Sequence, residues 1–599
     1  MTQRANEPAP SQDERDIIGR VISVSGASAT IELDDAGVRD AARATVGKFI
    51  GIVCGDSVII GMVTKISGQA GSRIAHIDLF GEMREHDGTP RFSRGITDYP
   101  VIGEPALLIT NDELRLIYGN AGPTAHLGCL RQDHSIKALV DVNELLNKHF
   151  AILGTTGVGK STAVAVILQQ ILAARPDLRI FLVDPHNEYG RCFGDKAQVL
   201  NPRNLRLPFW LFNFEETVDA FFGARPGVPE EVEILAEVIP IAKGMYIQHR
   251  NTSEHSLLKR RDPRNSGFTA DTPAPYRLED LLGLIDERMG KLENRASRAF
   301  HFKLMQRIQT FRNNPRYTFM FENANVGGDT MAEIISTLFR LPANGKPVTV
   351  MQLAGFPAEV VDSVVSVLCR MAFDFGLWSD GVSPLLFVCE EAHRYASSTE
   401  LKKGFGPTRR ALSRIAKEGR KYGVYLCLVT QRPYEIDPNI ISQCNTLFVM
   451  RLANDRDQAL IRSAVSDAAS SLLSFVPTLG TGEAFVFGSG VALPMQMKFS
   501  NLPEEFRPSS EVGTSTHRRT EAGLDLIASV IDRWRNATMS QRLQDDDSYD
   551  SGLMREHAPP LQPPAGNGYG NGYEAERSRL LKQPLNAALT SRDAPKTWR

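Results

Sequence analysis

Eight consecutive residues, Gly154, Thr155, Thr156, Gly157, Val158, Gly159, Lys160 and Ser161, fill the pattern G-x-x-x-x-G-K-[ST] without a mismatch. Each residue type at that spacing suits a polyphosphate. Glycines permit positive φ and close approach of the backbone to an anion. The amides of Gly157, Val158 and Gly159 can therefore converge at a helix N-terminus, where the dipole favours negative charge. Lys160 would reach the β- and γ-phosphates of ATP, the Ser161 hydroxyl would ligate Mg2+, and Thr162 completes the nucleotide-binding set. A glycine-rich turn that merely starts a helix is the competing reading. The flanks argue against it: "HFAIL" upstream is a short apolar run suited to a buried strand, and "STAVAVILQQILAA" downstream has helical spacing.

A second group could complete the chemistry. "PLLFVCEEAHRY" (384–395) reads as an apolar strand ending in two adjacent carboxylates. Side chains alternate along a strand, but at its end the chain turns, so Glu390 and Glu391 can do different jobs. Glu390 would hold Mg2+ through water, and Glu391 would polarise the attacking water; a solvated acidic cap is the alternative. "VYLCLVTQRP" puts Gln431 at the C-terminal edge of the sheet, where open α/β sheets bind ligands, so that its amide could bond both the γ-phosphate and the water. A plain loop glutamine competes with that. Between them, "LKKGFGPTRRALSRIAKEGRKYG" carries Lys402, Lys403, Arg409, Arg410, Arg414, Lys417, Arg420 and Lys421. Such a run is a solvated helix face, a grip on a nucleic-acid backbone, or the source of an arginine that enters a neighbour's nucleotide site. Arg420, in the turn before the strand that ends at Gln431, is the candidate for the last role.

Positioning these groups requires strands alternating with helices, which predicts a parallel α/β sheet. Besides "HFAIL", its strands are read in "LRIFLVD", "VTVMQLA", "PLLFVCE", "VYLCLVTQ" and "TLFVMRL". Gly154 to Glu390 is a long way for one core, and the excess reads as helices around a polar loop. The glycine-broken, alternating segments before residue 118 suggest a small all-β barrel. The expected order is a barrel over 14–118, a connector over 119–147, and a RecA-like α/β ATPase core over 148–214 and 331–505. A helical insertion over 215–330, a C-terminal helix over 506–536 and a disordered low-complexity tail over 537–599 complete it.

The totals exclude several classes. At 599 residues, 42% hydrophobic and 23% charged, the chain has length for two or three domains. Net charge −2 announces no global affinity for nucleic acid, so any such contact must come from local patches. Cys54, Cys129, Cys192, Cys369, Cys389, Cys427 and Cys444 are scattered and lack C-x-x-C spacing, against both a disulfide framework and a zinc site. The polar N-terminus has no signal-like apolar stretch and no membrane span is read, so the expected compartment is the cytoplasm.

"HFAILGTTGVGKST", "VDPHNEYG", "LLFVCEEAHR", "EGRKYG" and "VTQRPYEIDPNIISQCNTLFVMRL" occur in this order, and in this they resemble the HerA-like ATPases of the HerA/FtsK group. The resemblance spans about 14–505. It implies a homo-hexameric ring with ATP between subunits and double-stranded DNA in a central channel. By position it implies Lys160 and Ser161 at phosphates and metal, Glu390 and Glu391 as the acidic pair, Gln431 as sensor and Arg420 as the finger in trans. Asp184, His186 and Glu188 match a family signature that a strand-end turn explains nearly as well. "EEAH" also invites comparison with DEAH-box helicases, which build one site from two cores in one chain. The stretch after 505 is too short and polar for a second core, so a catalytic arginine must come from another copy.

The leading expectation is an ATP-driven motor on double-stranded DNA that delivers it to a partner. By resemblance that partner is a NurA-type nuclease in end resection, or a defence effector such as a sirtuin-like enzyme or another nuclease. A ring scaffold that activates a partner with little translocation is the alternative from another class. A motor for protein or single-stranded nucleic acid is a third.

Overall fold

The computed structural model describes residues 17–509, apart from 35–43, 70–71, 87, 120–121, 223–227, 253–266, 323, 325–327, 357, 399–405 and 466–470. Lys402, Lys403, most of the expected C-terminal helix and the tail lie outside the described residues.

The first layer is antiparallel throughout: β1 (Ile17–Ser25), β2 (Ser28–Leu33), β3 (Phe49–Cys54), β4 (Ser57–Gln69), β5 (Ser72–His86), β6 (Thr89–Arg94) and β7 (Pro105–Leu108). Their order is β2-β1-β7-β3-β4-β5-β6, and a further β2–β5 pairing closes the first six into a barrel. Closure follows from the alternation. In β2, Ala29, Ile31 and Leu33 face inward and join Ile50, Ile52, Ile59 and Ile77 in one core. At Gly61, where the β4–β5 register shifts, a Cβ would lie 2.4 Å from Ile77 Cγ2, so only glycine fits. The strand β6 continues past the ring, and its Arg94 donates to the carbonyls of Ala492 (3.0 Å) and Gly488 (2.6 Å), tying the barrel to the second layer.

That layer is one eleven-stranded sheet of order β12-β13-β11-β14-β15-β10-β16-β17-β18-β8-β9. Its strands are β8 (Thr124–Leu130), β9 (Lys137–Asp141), β10 (His149–Leu153), β11 (Arg179–Asp184), β12 (Ala197–Leu200) and β13 (Val348–Gln352). They continue with β14 (Leu385–Cys389), β15 (Val424–Thr430), β16 (Cys444–Val449), β17 (Glu483–Gly488) and β18 (Met495–Phe499). From β12 to β16 every pairing is parallel. β10, β13 and β14 are buried at all five positions, as strands covered on both faces must be.

Beyond β16 the sheet departs from the expectation of a parallel sheet: β17, β18, β8 and β9 are antiparallel. Residues 119–147 are likewise not a connector, since β8 and β9 form the edge of the core sheet itself. Alternation marks a strand but not its partner or direction, and Gly128 conceals how closely β8 approaches β18: a Cβ there would lie 1.9 Å from Lys498 O.

Helices Phe214–Phe222, Pro229–Thr252, Leu278–Lys291 and Arg295–Arg312 fill the stretch read as an insertion. Its root is fastened by Glu216, 2% exposed, whose two carboxylate oxygens each lie 3.0 Å from Arg370 Nε on the core helix Ala358–Trp378. Removing either partner would strand a buried charge.

His149 opens β10 as a neutral buried ring. Leu426 N–H donates to Nδ1 (2.9 Å), so the proton sits on Nε2, which donates to Ala416 O (3.0 Å). Burial pushes its pKa down to about 4, against the pull of the Ala416 and Ile415 carbonyls. Its stabilising contribution is present above the unfolded value of about 6.5 and is lost as pH falls through that window towards 4. The melting temperature is therefore expected to fall between pH 6.5 and 4, and to fall less steeply in His149→Gln. Parallel melting curves for the two proteins would contradict this.

Candidate nucleotide-binding site

Five neighbouring parallel strands, β11, β14, β15, β10 and β16, end side by side, and each delivers a piece of the site at its C-terminal edge, where open α/β sheets take ligands. After β10 comes the glycine loop. Gly157 (φ +79°) and Gly159 (φ +89°) take the left-handed conformation that glycine adopts without strain, and Gly159 caps the helix Lys160–Ala174. The loop is held from outside. Gly154 N donates to Thr430 O (3.2 Å), Thr155 N to Arg451 O (3.1 Å), and Gly482 N to Val158 O (2.9 Å). A Cβ at Gly154 would lie 2.8 Å from Met450 Cβ. Among the described residues the amides of Gly157, Val158 and Gly159 donate no hydrogen bond. This is the arrangement of a helix N-terminus ready for an anion.

Lys160, 8% exposed, points into the loop mouth with Nζ 2.7 Å from Glu390 Oε1 and 3.8 Å from Glu391 Oε1. Two consecutive residues of a continued strand would face opposite ways. Here Glu391 turns into the left-handed region (φ +52°), which brings both carboxylates to one lysine. That conformation costs a non-glycine residue on the order of 1 kcal/mol. Burial pushes Glu390 up to about 7, while the Lys160 ammonium pulls the other way.

Glu391 is held at Oε1, while its buried Oε2 has no hydrogen-bond partner among the described residues and only the His393 ring close by. Gln431 Nε2 donates to Oε1 (3.1 Å), and His393 Nδ1 lies 3.1 Å from Oε2 and 3.1 Å from Thr430 Oγ1. Gln431 in turn accepts from Thr156 Oγ1, so one amide bridges the phosphate loop and the carboxylate. The sequence reading missed His393, although it stands two residues after Glu391 and a strand-end turn returns such a residue to its neighbour.

The β11 end resolves the "DPHNEYG" signature into separate parts. Asp184, fully buried, caps its own turn by accepting from Glu188 N (3.1 Å) and Tyr189 N (2.9 Å). Burial raises its pKa and those two amides oppose the rise. His186 is half exposed, 3.8 Å from Glu391. Glu188 accepts the Ser161 hydroxyl at 2.6 Å.

The basic run divides. Arg409 pairs with Asp437 (3.1 Å), Arg414 with Asp374 (3.4 Å), and Arg410 with Glu215. These three are engaged within the chain. Lys417, Arg420 and Lys421 are exposed and form no ion pair among the described residues. Arg420 sits in the turn Gly419–Tyr422 that precedes β15, whereas Gln431 follows it, so the two occupy opposite edges of the sheet.

The residues at the loop fit a magnesium ion carried by a nucleotide. Glu390 Oε2 is buried with no hydrogen-bond partner, beside the Ser161 hydroxyl's loop. Among the described residues no three His, Cys, Asp or Glu side chains group to hold a metal alone. Magnesium here would take one or two protein ligands and fill the rest with phosphate and water, as it commonly does. No described helix is long and apolar enough to cross a membrane.

Comparison with known proteins gives four findings. Residues 125–372 match the family model for the central domain of helicase HerA. The chain is 27% identical over 467 residues to the DNA double-strand break repair helicase HerA of Pyrococcus furiosus, covering 72% of this chain and 77% of that one. Its counterpart of the same name from Sulfurisphaera tokodaii is 26% identical over 433 residues, covering 69% and 78%. Among solved structures, VirB4 of Thermoanaerobacter pseudethanolicus overlaps loosely, at 16% identity and a TM-score of 0.43, covering 65% of this chain and 99% of that one.

Proposed function

The chain is a HerA-like ATPase, and from that premise we propose that it works as a hexameric, ATP- and Mg2+-dependent motor on double-stranded DNA. It hands that DNA to a partner nuclease or defence effector. Lys160 neutralises the β- and γ-phosphates, and Ser161 and Glu390 hold the cation, Glu390 through water. Glu391 draws on the proton of the attacking water, and Gln431, released from Thr156, bonds the γ-phosphate and that water. Arg420 of one copy stabilises the charge that develops in the site of the next. When bound, magnesium supplies charge neutralisation of the phosphates.

The observation that carries this reading is the convergence of Lys160, Glu390, Glu391 and Gln431 on one glycine loop, with Arg420 at the far edge of the same sheet. The HerA relatives named for DNA break repair support DNA as the track.

The test is the ATPase rate of the purified protein with and without duplex DNA. A severalfold rise that fades steeply as salt increases is expected, because a grip built on lysine and arginine releases counterions. A rate indifferent to duplex would favour the ring scaffold that activates its partner without travelling.

A further inference from the structure

Resting on the ATP–Mg2+ reading of the loop, we propose that Glu188 is a positioning residue for the cation, acting through the hydroxyl of Ser161. A serine hydroxyl has one proton and two lone pairs. A hard divalent cation needs a lone pair, so the proton must be held to the other side. In this chain Glu188 Oε2 accepts that proton at 2.6 Å, within the short range of a hydroxyl bonded to a carboxylate. Glu390 does not take that proton: its Oε1 is 2.7 Å from Lys160 Nζ, and its Oε2, without a hydrogen-bond partner among the described residues, is left for the water of the cation. The two carboxylates thus divide the labour, one on the ammonium and one on the hydroxyl.

The turn between β11 and Tyr189 is built to hold Glu188 there. Asn187 takes φ +56°, and Asp184 captures Glu188 N and Tyr189 N with its two oxygens. The Glu188 carbonyl accepts from Ser509 N (3.1 Å) and from the Cys192 thiol (3.8 Å). The main chain of Glu188 is therefore fixed at both its N–H and its carbonyl, which leaves the side chain to meet Ser161. β11 pairs with β14, so this turn stands directly beside the strand that ends at Glu390. The signature that a simple turn almost explains is a turn whose product is one oriented carboxylate.

The test is the affinity for a fluorescent ADP analogue, measured with Mg2+ and with EDTA, so that hydrolysis plays no part. Glu188→Ala is expected to lose about 10- to 100-fold of the affinity that Mg2+ adds, the range seen when a group behind a metal ligand is removed. Its affinity in EDTA should stay as in the wild type. Glu188→Gln, which keeps an acceptor oxygen and the side-chain volume, should retain part of the gain. Ser161→Ala should lose as much as Glu188→Ala, and the double variant no more than either, because the two act as one unit.

A wild-type Mg2+ gain in Glu188→Ala, or losses that add in the double variant, would overturn the proposal. If Glu188→Ala does not fold, an undiminished gain in Glu188→Gln, or losses that add where Glu188→Gln loses part of the gain, does so. A wild-type protein that binds no nucleotide under either condition would instead sink the reading of the loop.

Discussion

Glu391→Gln is expected to lower ATP turnover by about 10²- to 10⁴-fold, the range of a positioned general base, while nucleotide affinity stays close to that of the wild type. The substitution keeps the side chain's length and an oxygen that can still accept from Gln431, 3.1 Å away. It removes the negative charge that would draw a proton from water. Lys160→Ala provides the contrast. Its ammonium lies in the loop mouth, 2.7 Å from Glu390, so its loss should weaken binding itself as well as turnover. Phosphate release and equilibrium binding of a fluorescent nucleotide separate the two. A Glu391→Gln protein that hydrolyses at more than a tenth of the wild-type rate would remove Glu391 from the role.

Arg420→Ala should be comparably severe by another route. An arginine supplied in trans contributes about 10³- to 10⁵-fold to phosphoryl transfer, and none of that is paid back by binding. Arg420 cannot serve its own site: the seven residues of β15 separate its turn from Gln431, on the order of 20 Å of strand. The decisive measurement mixes Arg420→Ala with Glu391→Gln subunits. Where an intact Glu391 meets an intact Arg420 across an interface, a working site is rebuilt, so the mixture should regain activity that neither variant has. No recovery after subunit exchange, with ring assembly intact, would argue that the arginine acts within one chain or not at all.

What could be read from the residues follows from how local each signal is. The glycine loop is contiguous, and its pattern is demanded by phosphate geometry, so position and conformation were legible together. The parallel strands were legible because burial on both faces leaves unbroken apolar runs such as "HFAIL" and "LLFVC". β8 and β9 were not, because half-buried strands at the end of a sheet look like connectors and nothing local names their partner. The basic run illustrates a related limit. Arg409, Arg410 and Arg414 read as free positive charge until the fold brings up Asp437, Glu215 and Asp374 from distant positions. Glu188 was in view by type, but its partner Ser161 meets it only once the strand ends are aligned, whereas His393 was missed although the turn after β14 brings it back to Glu391 two residues away.

The contact between Lys160 and Glu390 has one more implication. With Lys160 Nζ 2.7 Å from Glu390 Oε1, a polyanion has to compete with a carboxylate for the ammonium. The nucleotide must separate a pair shielded from water, leaving a bare carboxylate unless a positive species meets it at the same moment. The Lys160–Glu390 contact thereby couples the binding of a polyanion to that of its counter-ion.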